Sequence, residues 1–228
     1  MSMNKVKTSP LPLVLAVIYA CLSTACGGGD EVQAPEEQAS SFKLPATVHV
    51  DSPTEAVVHL ETVEDLTEEV ADWLLDLSAE LRSRDFGAAG TWFREDFAGH
   101  SLSGHSIESE TGLELSITRS DFDVSAPEVV GGATFLDAVE EHIGPWASIN
   151  SVIWKTKGAE FQSGRDRWGK IKVWMRYIGT RVDGGKVSLT SWAYLRVRKE
   201  RAKWGIERFE LTSLSLEERD GPAFTNVA

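Results

Sequence analysis

Between Ser148 and Glu218 the chain alternates apolar and polar residues through four successive runs, and this period of two constrains the fold more than any other feature. Ile149, Ser151 and Ile153 alternate with Asn150, Val152 and Trp154. After a polar turn over Gln162 to Gly169, Ile171, Val173, Met175 and Tyr177 alternate with Lys172, Trp174, Arg176 and Ile178. Asp183-Gly184-Gly185 then separates two apolar runs, and such residues tolerate the positive φ that a tight hairpin requires. Val187, Leu189, Ser191, Ala193, Leu195 and Val197 alternate with Thr190, Trp192, Tyr194 and Arg196, and a second polar turn (Lys199 to Arg201) leads into Trp204 to Leu216. Successive side chains of a strand point to opposite faces, so these runs predict an antiparallel meander of longer than average strands.

The N-terminus reads as a processing segment. Lys5 and Lys7 precede an apolar run from Leu11 to Leu22, too short to cross a bilayer core of about 30 Å as a helix. It ends in Ser23-Thr24-Ala25-Cys26 followed by three glycines. Small residues ahead of a cysteine resemble a bacterial lipoprotein signal, which implies removal of residues 1–25 and lipidation of Cys26. Ordinary secretory cleavage after Ala25 is the alternative. Either way the folded part holds no cysteine, because Cys21 and Cys26 are the only two, which excludes disulfides, a thiol nucleophile and Cys-type zinc sites. Residues 26–46 are rich in Gly, Glu, Gln, Ala, Ser and Pro and predict a flexible tether. The expected domain runs over 47–220, with a tail at 221–228. The expected address is the bacterial cell envelope, with the lipid as the membrane anchor.

The formal charge of −12 hides a division. Gly27 to Asn150 contains 26 acids and 5 bases, whereas Ser151 to Arg208 contains 5 acids and 15 bases. The acidic total argues against nucleic acid as a partner. The basic half coincides with the meander and the acidic half with the helices expected ahead of it.

In those helices Thr62 with Asp65 has capping-box character. Val63, Leu66, Val70, Trp73, Leu74, Leu77 and Leu81 then form one apolar stripe, which predicts a helix of about twenty residues. Thr47 to His49 and Ala56 to Leu60 read as short extended pieces ahead of it. Asp85 is placed to cap a short helix through Phe93. Phe97 to Thr111 reads as loop or ragged hairpin, Leu113 to Ile117 as a strand, and Asp121 to Gly132 as loop. Thr134 with Asp137 opens a third helix that Gly144-Pro145 ends.

The order of elements resembles the cone-shaped α+β fold of the nuclear transport factor two-like superfamily, which includes the SnoaL-like cyclases and ketosteroid isomerases. The stretches that carry the resemblance are Leu66–Arg84, Asp85 to Ala89, Gly131–Pro145 and Ser148–Leu216. It implies a curved antiparallel sheet with three helices on its concave face, a pocket at the wide end of the cone, and frequent pairing of the other face with a second subunit. A weaker likeness lies at the end of the chain, where Gly221 to Ala228 is similar to the lead-in of an FG-GAP/VCBS-type propeller.

The isomerase branch implies a carboxylate base facing a phenol or protonated acid. By residue type the catalytic candidates are Asp96, Asp121, Asp123 and Glu141 as bases, with Tyr177 and Tyr194 as donors. The five histidines, His49, His59, His100, His105 and His142, show no metal-ligand spacing, and no metal is expected. No phosphate loop, dinucleotide fingerprint or nucleophile elbow is present, and no cofactor is expected.

The polar side of the meander is more informative. Trp174, Arg176, Trp192, Tyr194 and Arg196 fall on one face, and Trp, Tyr and Arg are enriched where proteins dock. The face either meets a partner, as a homodimer or an adjacent domain, or lies under the chain's own N-terminal segment. The expected function is a non-catalytic, lipid-anchored binding or assembly module acting through this face or through a ligand pocket. The alternative is a small isomerase or cyclase with a pocket carboxylate as base.

Overall fold

The computed structural model describes residues 53–103, 106–112, 117–162 and 167–221. The expected signal segment, Cys26, the tether, the pieces at Thr47 to His49, the first part of the strand expected at Leu113, and Phe224 and Val227 of the tail lie outside the described residues.

A long helix, α1 (Pro53–Ser83), comes first, then a single-turn helix, α2 (Phe86–Gly90). Strands β1 (Phe93–His100), β2 (Ser106–Gly112), β3 (Ile117–Phe122) and the two-residue β4 (Val129–Val130) follow. Helix α3 (Gly132–Ile143) then leads into β5 (Ser148–Gln162), β6 (Arg167–Thr180), β7 (Lys186–Glu200) and β8 (Lys203–Arg219). The last four are the predicted meander, each paired with the next over nearly its full length.

The sheet order is β2-β3-β8-β7-β6-β5, with β1 beside the first half of β8 and β4 beyond β1. Strand β3 pairs antiparallel with the second half of β8, and β1 pairs parallel with the first half. The sheet is therefore mixed and not wholly antiparallel. Register shifts in β5 and β8 against their neighbours add residues to one strand of a pair, which bends the sheet. The result is the helix-backed curved sheet that the resemblance to the nuclear transport factor two-like superfamily implied.

Leu66, Val70, Leu74, Leu77 and Leu81 are buried along one side of α1, which packs on β5. Trp73 lies at the margin of that stripe, half-buried against Trp92 with ring centroids 5.0 Å apart. Helix α3 buries Phe135, Leu136, Val139 and Ile143 and packs on β1. These residues join the inward-facing Ile171, Val173, Met175, Tyr177, Leu189 and Leu195 in one hydrophobic cluster. That cluster draws on all three helices and on the long strands, so the body has a complete core of its own. Two glycines make room for aromatic rings: a Cβ on Gly179 would lie 2.2 Å from the Trp146 ring, and one on Gly169 would lie 2.5 Å from Phe161.

Several boundaries differ from expectation. Residues Ala56 to Leu60 are helical, because α1 begins at Pro53, where a proline's missing N–H costs nothing. Thr62 is thus inside the helix and caps nothing. Asp85 does cap α2, accepting a 2.9 Å hydrogen bond from the Ala88 N–H. That helix stops at Gly90, and Phe93 opens β1 instead. Phe97 to His100 and Ser106 to Thr111 are strand, not loop. Helix α3 has Gly131 at its N-cap with no side-chain hydrogen bond, so the Thr134 box does not form.

Candidate functional site

Period-two alternation places Tyr177 on the inner face of β6, and burial agrees. Its hydroxyl accepts a 3.0 Å hydrogen bond from the Trp154 indole N–H on the neighbouring strand β5. The Trp154 backbone N–H donates to the Ser78 hydroxyl at 3.0 Å, which itself donates to the Leu74 carbonyl. A polar chain thus runs from α1 through β5 to β6 inside the core. Burial pushes the Tyr177 phenol well above its ordinary range, with the Trp154 bond opposing the shift.

Around this pair the cone is filled with rings. Phe135 of α3 stacks on Phe209 at 4.8 Å and on Phe93 and Phe97 of β1 at 5.4 and 5.6 Å, and Phe209 meets Trp154 at 6.2 Å. Among the described residues an open depression of about 560 Å³ lies at the end where α3 stops and β6 turns into β7. His142, Trp146, Val187 and Leu216 line it, and Arg181 closes its rim, held by Asp183, Glu218 and Asp220.

None of the candidate carboxylates faces Tyr177. Asp96 sits on β1 with its side chain 68% exposed, 3.5 Å from Arg94. Asp121 on β3 pairs with Arg119, and cross-strand register through Ser215 and Thr190 places it on the face of Arg176, opposite to Tyr177. Asp123 accepts a 2.8 Å bond from the Ser125 N–H in the loop after β3. Glu141 lies on the exposed side of α3. His100 accepts from the Leu211 N–H, and His142 bonds the Leu102 carbonyl. His105 lies outside the described residues, among which no group of side chains is arranged to hold a metal.

The outer face of the sheet is built differently. Trp174 of β6 lies directly across from Trp192 of β7, with Lys155 of β5 on its other side, and Lys172 lies across from Tyr194. Lysines lie over the rings: Lys157 at 5.8 Å from Trp174, Lys172 at 5.5 Å from Trp192, and Lys170 at 4.9 Å from Tyr194. Such cation–π contacts keep the ammonium groups near the surface while their stems cover the aromatics. Trp192 is buried beneath this cover, and its indole N–H finds no hydrogen-bond partner. Arg176 donates to the Ser188 hydroxyl at 3.1 Å.

Arg196, the fifth residue expected on this face, belongs to a cluster that the alternation does not reveal. Its Nε donates at 3.1 Å to Glu207, which is 1% exposed and also meets Arg198 and Arg94 at 3.3 Å. Glu207 occupies the bulge where β8 shifts register against Arg196 and Val197, so counting by twos misplaces it. Arg196 and Arg198 both lie over Trp168, at 4.7 and 5.1 Å. Glu200 joins Arg94 to Arg198, and its hydrogen bond with Arg94 holds its carboxyl below the usual range.

No family profile matches the sequence, and no curated protein matches it. Among solved structures the chain is similar to an NTF2-like protein with a cystatin-like fold from Novosphingobium aromaticivorans. The identity is 17% and the TM-score 0.43, over 72% of this chain and 90% of that one. It is also similar to hexachlorocyclohexane dehydrochlorinase type 3 from Novosphingobium barchaimii, at 14% identity and a TM-score of 0.41, over 72% of this chain and 98% of that one. A type 2 dehydrochlorinase matches at 12% identity and a TM-score of 0.42, over 73% of this chain and 99% of that one. Likenesses this low assign no chemistry to the chain.

Proposed function

We propose that the protein is a non-catalytic docking module of the bacterial cell envelope, anchored by lipid at Cys26 and working through the outer face of its sheet. The observation that carries this reading is the filled interior. The Tyr177 hydroxyl is occupied by Trp154, rings close the space in front of it, and the candidate bases lie elsewhere. Acid–base catalysis needs a titratable group within hydrogen-bond reach of a substrate, whereas the Tyr177 hydroxyl is engaged by Trp154 and no candidate carboxylate faces it. The outer face supports the positive half of the reading, with Trp174, Trp192 and Tyr194 in one patch carrying lysines.

The test is thiol footprinting of the full chain in the cells that make it. Lys172→Cys reports on the outer face, and Val182→Cys, whose site is 82% exposed in the β6–β7 turn, serves as the control. Protection of position 172 against a small maleimide in the envelope, relative to dilute purified protein, with position 182 open in both, supports the reading. Equal labelling of position 172 in both settings overturns it. The anchor has its own test: Cys26→Ala releases the protein from the membrane fraction, since a pair of acyl chains supplies lasting attachment where one polar domain does not. Retention of that variant on membranes after a high-salt wash removes the anchor from the proposal.

A further inference from the structure

We infer that the occupant of the outer face is a second copy of this chain, docked head to tail, with the acidic side of its α1 lying on the lysines of β5 and β6. The inference rests on the outer-face reading above and adds the identity of the partner.

The first observation is the character of the lysine patch. Lys155 and Lys157 are exposed, and Lys170 and Lys172 are half-buried over aromatic rings. Glu160, across from Lys170, is the one acid on the outer face of β5. The ring faces beneath are already taken by the chain's own ammonium groups, so the surface offers charge more than stacking area. It therefore fits an anionic partner.

The second observation lies on the opposite side of the body. Helix α1 buries Leu66, Val70, Leu74, Leu77 and Leu81 against the sheet. On the other side of the helix Glu61, Asp65, Glu68, Asp72 and Asp76 are exposed, spaced four, three, four and four residues apart. That spacing makes one acidic stripe on a helix. None of the five has an ion-pair partner among the described residues. Glu69, off the stripe, is already used by Lys199.

The two surfaces have opposite sign and lie on opposite sides of the same wing of the sheet, since α1 covers the inner side of β5. One copy cannot bring its own stripe to its own lysines, whereas a neighbour can. A two-fold pairing centred on β5 and β6 would instead set Lys155, Lys157, Lys170 and Lys172 of each copy against those of the other, and like charges in an interface oppose association. Complementary patches on opposite sides generate a heterologous contact, which repeats from copy to copy. Exposed ion pairs are screened by salt, so the contact forms in low salt and strengthens with the concentration of the chain.

The experiment uses residues 33–228, which hold the complete core. Sedimentation is followed at about 0.02 M and about 0.5 M salt, which shortens the screening length from roughly 20 Å to roughly 4 Å. Wild type is expected to form concentration-dependent oligomers in low salt and to dissociate in high salt. A sheet-reversed variant (Lys155→Glu/Lys157→Glu/Lys170→Glu/Lys172→Glu) and a helix-reversed variant (Asp65→Lys/Glu68→Lys/Asp72→Lys/Asp76→Lys) are each expected to stay monomeric and folded, by circular dichroism. Their equimolar mixture is expected to associate, because each reversed surface then meets its complement. A wild type that is monomeric at every concentration in low salt overturns the inference, as does a helix-reversed variant that associates like wild type. Protection of position 172 in cells alongside a monomeric wild type rejects the second copy while leaving the outer-face reading in place.

Discussion

The indole N–H of Trp154 and the hydroxyl of Tyr177 meet at 3.0 Å across neighbouring strands, both fully buried, between the stripe of α1 and the rings of α3. The phenol there serves as the acceptor that lets a tryptophan be buried without an orphaned donor. Tyr177→Phe keeps the ring and removes the acceptor. We expect it to lower stability by about 1–2 kcal/mol, the cost of an unsatisfied buried donor. In a body of this size that is a fall of several degrees in Tm, on the order of 2–4 °C per kcal/mol. An unchanged denaturation midpoint would mean that water replaces the hydroxyl and that the site is open.

The same burial sets a pH dependence. An exposed phenol ionises near pH 10, and burial raises the value for Tyr177. A raised folded-state value means that the native protein holds its proton while the unfolded chain releases it. Stability from this group is therefore complete below about pH 10 and falls as pH rises beyond it. Residues 33–228 contain only Tyr177 and Tyr194, so a Tyr194→Phe background isolates the signal. Phenolate absorbance is expected to appear only together with loss of the far-ultraviolet circular dichroism of the fold. Phenolate forming at the ordinary pH in the folded protein would show that Tyr177 is reached by solvent.

Leu74 and Leu75 test the facing of α1. Leu74 is fully buried on β5, whereas the Leu75 side of the helix is open and that residue is 56% exposed. Leu74→Ala is expected to cost about 2–5 kcal/mol, and Leu75→Ala about 0.5 kcal/mol or less. Trp73→Ala should fall between them, because Trp73 is half-buried against Trp92, whose indole donates to Glu80. Equal midpoints for the two leucine variants would remove the assignment of the buried stripe.

Where the backbone keeps its ideal period, the sequence reads correctly. Ile171 to Tyr177 and Val187 to Val197 sort into inner and outer faces as the alternation says, because long paired strands leave a side chain only two directions. Strand β1 is illegible for the opposite reason. Phe93 and Phe97 are four apart, a spacing that puts them on one face of a helix or of a strand alike, so it does not decide between the two, and the register against β8 shifts between Phe93 and Ala98. Bulges follow from tertiary pairing and leave no local signature. The alternation also places Trp192 on the outer face without revealing that Lys172 would cover it. Nor does it connect Ser78, inside an apolar stripe, to the backbone of Trp154, since that contact spans 76 residues.

Glu207 provides the test of what fastens β1 to the sheet. It is the extra residue of the β8 bulge, and its carboxylate meets guanidinium groups from two elements: Arg196 and Arg198 of β7, and Arg94 of β1. The parallel pairing of β1 with β8 is interrupted between Phe93 and Ala98, so backbone hydrogen bonds alone hold that stretch poorly, and the carboxylate supplies the link. Glu207→Gln preserves size and removes the charge, leaving three arginines close together, with Glu200 and Asp96 among the groups that offset them. Loss of one partner from a fully buried ion pair costs about 3–5 kcal/mol; these arginines keep some contact with water, so about 1–3 kcal/mol is expected. Removing one of the crowded cations should recover part of the loss, so Glu207→Gln/Arg94→Gln is expected to be more stable than Glu207→Gln alone. Amide exchange in β1 should accelerate in the single variant ahead of β6 and β7, which are anchored on both sides. A single variant with the wild-type midpoint and unchanged exchange in β1 would show that the aromatic packing of Phe93 and Phe97 holds the strand without the carboxylate.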